Sequence, residues 1–387
     1  MGDVGLVLTG GGARAAYQIG ALHALSEIVP EFENPFRILT GVSAGAVNAG
    51  FLAASDEGFA ATVRRLREVW LALTPDRVYR TDTRRLVAIG SRWIRELSGG
   101  GLFAGGRINF LLDAAPLRDL LGEVSQIGRL ARHFESGRLR GVAVTATSYA
   151  TSVAVTFFDG APDIQPWVRS TRIGVRETLR LDHVMASAAI PIFFPPVRIK
   201  GAFYGDGCVR MTAPLSPAIH LGADRILAVS VRHWRAPGEL IPGRARRESL
   251  SPSEIAGVLM NAVFMDSLEG DVERLERMNH TVSLVPPEER RKLPHQLRSI
   301  PVLTLRPSRD LGRLAEDQYR RFPRMLRYFL RGIGANAGNG SDLLSYLAFE
   351  PVYVGRLVDL GYEDTQARRR EIEAFFAPKE RERARAG

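Results

Sequence analysis

The chain has one cysteine, Cys208, and so can form no disulfide within itself; that suits a reducing compartment, and a cytoplasmic location is the expectation. It lacks the opening of an exported protein, because Asp3 comes early and a glycine-rich turn begins at Gly10, where a basic stretch followed by an apolar one would be needed. Long hydrophobic runs are missing too. The longest, Gly41 to Ala54, falls short of the roughly 18 residues that span a bilayer and is interrupted by Asn48. Lysine is scarce: all but three of the 52 basic residues are arginine, the exceptions being Lys200, Lys292 and Lys379. Zinc-ligand spacings, an RNA-binding aromatic motif and a helix-turn-helix signature are likewise absent, which weighs against nucleic acid as the partner of a chain with net charge +10. Such a charge draws a protein toward anionic surfaces, and peripheral contact with an anionic membrane is the form expected here. The arginines are scattered, however, and fit a compositional bias with no partner equally well.

What is present is an ordinary globular composition, 45% hydrophobic and 24% charged over 387 residues, enough for one large domain with elaborations or for two. The most informative stretch is Gly41-Val42-Ser43-Ala44-Gly45, a G-x-S-x-G pattern between an apolar run and a run of small, helix-compatible residues. It predicts a serine on a sharp strand-to-helix turn, flanked by Gly41 and Gly45 where a Cβ would not fit. At the N-terminus of a helix, Ser43 would sit where the dipole favours developing negative charge. The alternative is a Gly/Ala-rich helix start that happens to carry a serine.

Upstream, Val4 to Leu8 reads as a buried strand, followed by Thr9-Gly10-Gly11-Gly12-Ala13-Arg14 turning into a helix. Three consecutive glycines let main-chain N–H groups converge on one concavity, as an oxyanion site requires. Gly10, Gly12 and Ala15 also satisfy a dinucleotide fingerprint, but the second strand, Phe36 to Thr40, ends on the serine turn rather than on an acidic residue for a ribose. A glycine loop and a serine turn at the ends of neighbouring parallel strands would together supply the nucleophile and the oxyanion donors of ester hydrolysis.

A base is still required. None of the seven histidines, His23, His133, His183, His220, His233, His280 and His295, lies in a distinctive setting. A serine after so few strands also departs from the α/β-hydrolase order. Asp206, between Gly205 and Gly207 just after a hairpin-like segment, is free to approach another backbone turn and is the candidate.

The triple glycine with Arg14, the Gly41 to Gly45 turn with Ser43, the Asp206-Gly207 pair and the segment Ala186 to Pro196 just before it, in that order, resemble the patatin-like phospholipases over Gly5 to about Val231. The resemblance implies Ser43 as acyl-accepting nucleophile, Asp206 as its dyad partner, and an oxyanion hole from the N–H groups of Gly10, Gly11 and Gly12 with Arg14 adding charge nearby. Gly41, Gly45 and Gly207 support the motifs. It further implies a lipid acyl hydrolase of phospholipase A or lysophospholipase type, acting on phospholipid or lysophospholipid through an acyl-enzyme, with no metal and no cofactor. Two rivals stand beside it: a carboxylesterase of non-lipid substrates on the same fold, and a catalytically silent lipid-binding or regulatory protein. Three positions depart from the family pattern: Ala15 for a glycine, Cys208 for Gly or Ala beside the aspartate, and Thr212-Ala213-Pro214 where many members have Asn-x-Pro.

The expected fold is α/β, a mainly parallel central sheet flanked by helices, with residues 1–234 as the catalytic domain and 235–387 as a mostly helical extension packed on it. Strands are expected at Val142 to Thr147, Ser152 to Phe158, Val197 to Lys200 and Phe203-Tyr204, with Ile226 to Val231 closing the sheet. In the extension, Ser253 to Met278 reads as a helix carrying Ile255, Leu259, Val263 and Leu268 toward a core, and Thr281 to Val285 and Val302 to Leu305 as short strands. Two arginine-rich amphipathic helices are candidates for a lipid-facing surface: Thr83 to Leu97, with Trp93, and Arg320 to Arg331. Packing on the core is the alternative for both.

Overall fold

The computed structural model describes residues 2–80, 110–234, 252–264, 267–290, 297–321, 327 and 341–377. The arginine-rich stretch Thr83 to Leu97 therefore lies outside the described residues, as does most of the stretch from Arg320 to Arg331.

A ten-stranded sheet runs through the molecule in the order β10-β9-β1-β2-β3-β4-β6-β5, with β8 added against β3 and β7 (Val197–Ile199) against β8. Its centre is β1 (Val4–Leu8), β2 (Ile38–Val42) and β3 (Gly141–Ser148), every residue of which is buried. Strands buried on both faces need apolar residues without alternation, and Val-Gly-Leu-Val-Leu and Ile-Leu-Thr-Gly-Val meet that need. The pairings from β10 through β9 (Arg225–Val229), β1 and β2 to β3 are all parallel. Beyond β3 the sheet turns mixed: β4 (Ala154–Gly160) is antiparallel to β3, β6 (Arg172–Arg176) parallel to β4, and β5 (Trp167–Val168) antiparallel to β6.

Helix α1 (Ala16–Ile28) follows β1, α2 (Ala44–Ala54) follows β2, and α3 (Phe59–Leu71) packs on both. Helices α4 (Ala115–Val124), α5 (Leu181–Ser187) and α6 (Ser216–His220) lie further along the chain. The C-terminal part contributes α7 (Pro252–Phe264), α8 (Ser267–Leu284), strand β10 (Val302–Leu305), α9 (Ser341–Leu347), α10 (Pro351–Ala367) and α11 (Arg369–Phe376).

Three expectations are corrected. The strand Ile226 to Val231 does not close the sheet, because β10 pairs outside it; its partner arrives more than 70 residues later, beyond the reach of any local pattern. Thr281 to Leu284 is the last turn of α8 rather than a strand. Leu268, Val272, Leu275 and Val282 are buried at helical spacing, and that register prevails over the β-branched character of Thr281 and Val282. Finally, the helix expected over Ser253 to Met278 is described as α7 and α8 on either side of residues 265 and 266, which lie outside the described residues, and Ile255 and Leu259, expected to face a core, are exposed. The opposite face of α7 is the packed one, where Gly257 brings the backbone against the Asp342 side chain, 3.1 Å from where a Cβ would stand.

Pairing with β3 positions the site. Strand β2 lies along residues 141 to 145 of β3 and ends with Val42 opposite Thr145. From the other direction β8 (Ala202–Asp206) lies along residues 146 to 148 and ends with Asp206 opposite Ala146. The far edge of β3 is taken by β4 over nearly its whole length, so β2 and β8 share one edge and their C-terminal ends abut. The residue after Val42 is Ser43.

Candidate active site

Ser43 stands at the Ncap of α2 with φ 56 and ψ −130, a conformation an L-residue adopts only under strain of about 1–3 kcal/mol. The turn is held by several contacts. Its N–H donates to Ser187 Oγ at 2.9 Å, Ser187 Oγ donates to the Thr145 carbonyl at 2.6 Å, and Ala46 N–H donates back to the Ser43 carbonyl at 2.9 Å. Glycine is needed at position 45 because a Cβ there would lie 2.2 Å from the Leu8 carbonyl oxygen of β1.

The Ser43 hydroxyl donates to Asp206 Oδ2 at 2.6 Å, joining residues 163 positions apart. The other carboxylate oxygen accepts from Cys208 N–H at 2.9 Å. The Asp206 backbone is fixed on both sides, its N–H on the Ala189 carbonyl at 2.9 Å and its carbonyl on Thr147 Oγ1 at 2.8 Å. Asp206 has no exposed surface. Burial raises its pKa to about 7, against the opposing pull of the Ser43 hydroxyl and of the Cys208 N–H and thiol. Such a carboxylate can take a proton from the serine and return it near neutral pH.

The glycine loop faces this pair. Gly10 is pressed into it, with the site of a missing Cβ 2.8 Å from Ser43 Cβ and 2.3 Å from Cys208 Sγ. Among the described residues no hydrogen bond uses the N–H of Gly11 or Gly12, which leaves both amides able to meet a negative oxygen. Gly10 itself lies against the Cys208 side chain. No histidine is among the hydrogen-bond partners given above for Ser43 or Asp206. His183, four residues before Ser187, accepts from Arg180 N–H through Nδ1 at 2.9 Å and packs on Phe157. Among the described residues, no group of three or more metal-ligating side chains gathers.

An apolar cavity opens from Ser43 between α2, α3 and α4, with Val47, Phe51, Leu66, Trp70 and Leu121 in its walls and Phe349 from the C-terminal part. It is narrow, with about 60 Å³ of free space. A buried relay of polar groups backs it: Gln18 Nε2 donates to the Thr9 carbonyl at 2.7 Å, Asn48 Nδ2 to Gln18 Oε1 at 2.9 Å, and Trp70 Nε1 to Asn48 Oδ1 at 2.8 Å. Asn48 thus interrupts the apolar run in order to tie the glycine loop, α1, α2 and α3 together.

Residues 6–219 match the family model described as patatin-like phospholipase. The chain belongs to the patatin-like phospholipase family. A protein of Invertebrate iridescent virus 6, named probable lipid hydrolase 463L, is 25% identical over 215 residues, which are 55% of this chain and 62% of that protein. In structure the chain is similar to human GIVD cytosolic phospholipase A2, at 13% identity over 97% of this chain and 60% of that one, with a TM-score of 0.48. It is also similar to VipD from Legionella pneumophila, at 14% identity over 96% and 67%, with a TM-score of 0.37.

Two of the departures from the patatin-like motifs have visible consequences. Thr212 is exposed, and the aspartate loop is steadied instead by Thr147, by Ala189 and by Leu215 N–H, which donates to Asp271 Oδ2 at 2.9 Å. Cys208 fills the space between Gly10 and Asp206, where burial and the neighbouring carboxylate push its thiol pKa well up. Arg14 requires a correction. The sequence places it at the oxyanion site of a patatin-like enzyme, yet its guanidinium is committed to the C-terminal segment: Ser345 Oγ at 2.6 Å, Asp342 Oδ1 at 2.9 Å and the Tyr346 ring at 4.5 Å. A fully buried guanidinium must have its charge balanced close by, and Asp342 does so. Ser187 and Phe349 were not singled out from the sequence. Ser187 lay inside a segment quoted for its resemblance, but nothing in the chain order ties it to Ser43; Phe349 lay beyond the family match.

Proposed function

We propose that the protein is a serine acyl hydrolase of lipid esters, of phospholipase A or lysophospholipase type, working through a Ser43–Asp206 dyad. The observation that carries this reading is the 2.6 Å contact between the Ser43 hydroxyl and the buried Asp206 carboxylate, with Ser43 lining an apolar cavity. Ser43 Oγ attacks the ester carbonyl while its proton passes to Asp206. The carbonyl oxygen becomes an oxyanion facing the N–H groups of Gly11 and Gly12, at the positive end of α2. Collapse of the tetrahedral intermediate expels the alcohol, which takes the proton from Asp206 and leaves an acyl-Ser43 ester. Water, deprotonated by the same carboxylate, then releases the fatty acid and restores the serine. Membership of the patatin-like family and the apolar lining favour lipid over small polar esters.

The test is labelling by a fluorophosphonate, followed by hydrolysis of phospholipids, lysophospholipids and short-chain esters by wild type, Ser43→Ala and Asp206→Asn. Labelling confined to Ser43 is expected, with turnover reduced by about 10⁴-fold or more in Ser43→Ala and on the order of 10³-fold in Asp206→Asn. Labelling that persists in Ser43→Ala would refute the assignment. Turnover confined to short esters would favour the non-lipid carboxylesterase.

A further inference from the structure

We propose that Phe349 sets how long an acyl chain the Ser43 cavity accepts, and that Arg14 is the latch holding the segment that carries it. This rests on the acyl hydrolase reading above and adds to it a specificity-determining residue from outside the family match.

The residues lining the cavity, most of them from α2, α3 and α4, all fall within residues 6–219, with one exception. Phe349 arrives from the turn after α9 and is 8% exposed. Its ring lies against Trp70 at 6.4 Å and 31°, and against Tyr79 at 6.4 Å and 70° in a T-shaped contact.

The segment leading to it is pinned at several points. Tyr79 Oη donates to the Leu347 carbonyl at 3.1 Å. The Tyr346 carbonyl oxygen lies 2.2 Å from where a Cβ on Gly12 would stand, so position 12 must be bare, at φ 56, for the segment to seat. Arg14 closes the remaining side through Ser345 Oγ, the Asp342 carboxylate and the Asp342 carbonyl at 3.1 Å. Two residues of the glycine loop, two positions apart, therefore do different work: Gly12 offers its amide to the site, while Arg14 reaches away from it to hold α9. The wall at Phe349 is only as fixed as that hold.

A ring of this size in a narrow apolar cavity excludes methylenes, and each methylene excluded or admitted changes discrimination by roughly tenfold or more. Removing the ring enlarges the space open to an acyl chain; a larger ring reduces it.

The experiment measures kcat/KM on p-nitrophenyl butyrate, octanoate, laurate and palmitate for wild type, Phe349→Ala, Phe349→Trp, Arg14→Gln and Asp342→Ala. Phe349→Ala is expected to raise the palmitate-to-butyrate ratio on the order of tenfold, and Phe349→Trp to lower it. Arg14→Gln and Asp342→Ala are expected to move the ratio in the same direction as Phe349→Ala. If Phe349→Ala does not fold, judged by circular dichroism, Phe349→Trp decides. An unchanged ratio in the Phe349 variants, with wild type labelled by fluorophosphonate and active, overturns this proposal and leaves the hydrolase reading standing. Wild type that neither labels nor turns over any ester overturns both. A fall in kcat for Arg14→Gln that is equal on all four esters returns Arg14 to the oxyanion and removes the latch.

Discussion

Burial makes a carboxylate hold its proton, and hydrogen bonds to its charged form loosen that hold; at Asp206 burial prevails and the pKa rises to about 7. The ionised form is the one that can accept the Ser43 proton. Activity on a soluble ester should therefore be low at acid pH and climb as pH rises through about 7. The Cys208 thiol and N–H both favour the charged form. Cys208→Ala removes only the thiol, so it should displace the acidic limb of the kcat/KM profile to higher pH, whereas Cys208→Ser, which keeps a donor, should leave it closer to wild type. A limb that does not move in Cys208→Ala would show that the thiol merely fills space.

Among the elements, the tightest contact is between α1 and α10, which cross through glycine. A Cβ on Gly20 would stand 1.8 Å from the Val358 carbonyl oxygen, and one on Gly361 2.1 Å from the Tyr17 carbonyl oxygen. The two backbones touch, which no other residue type would allow. Gly20→Ala and Gly361→Ala should each destabilise the fold by about 1–3 kcal/mol through overpacking, read as a drop in the midpoint of urea unfolding. In the double variant the helices, once parted, should lose less than the sum of the two. Wild-type stability in either single variant would contradict the contact. Such a crossing was not legible in advance. Gly20 sits in a helix of apolar residues and Gly361 in another, and nothing in either pattern says that the two meet.

At the scale of the whole molecule, the C-terminal residues complete structures begun by the N-terminal ones. Strand β10 covers the edge of β9, α10 covers α1, and Arg225 Nη1 donates to the Phe375 carbonyl at 2.6 Å. The division expected at 234/235 is thus proposed as a boundary of family likeness and not of folding. A fragment of residues 1–234 would expose the apolar surface of α1 and an unpaired sheet edge. It should aggregate or unfold without cooperativity, as size-exclusion chromatography and thermal melts would report; a monomeric fragment with a sharp melt would show two independent units.

The amino-acid sequence by itself determined the local devices: the strand-to-helix turn at Ser43, the glycine loop after β1, the aspartate between two glycines, and the buried character of the central strands. These depend on residue type and short spacing, which a linear chain displays. The meeting of Ser43 with Asp206 was decided by tertiary structure, since it needs β2 and β8 to approach along one edge of β3 from opposite ends, and strand direction is not written in either segment. The destination of Arg14 was decided there as well. A guanidinium goes where its charge and donors are best met, and Asp342 and Ser345, more than 300 residues away, could be put beside it only by folding.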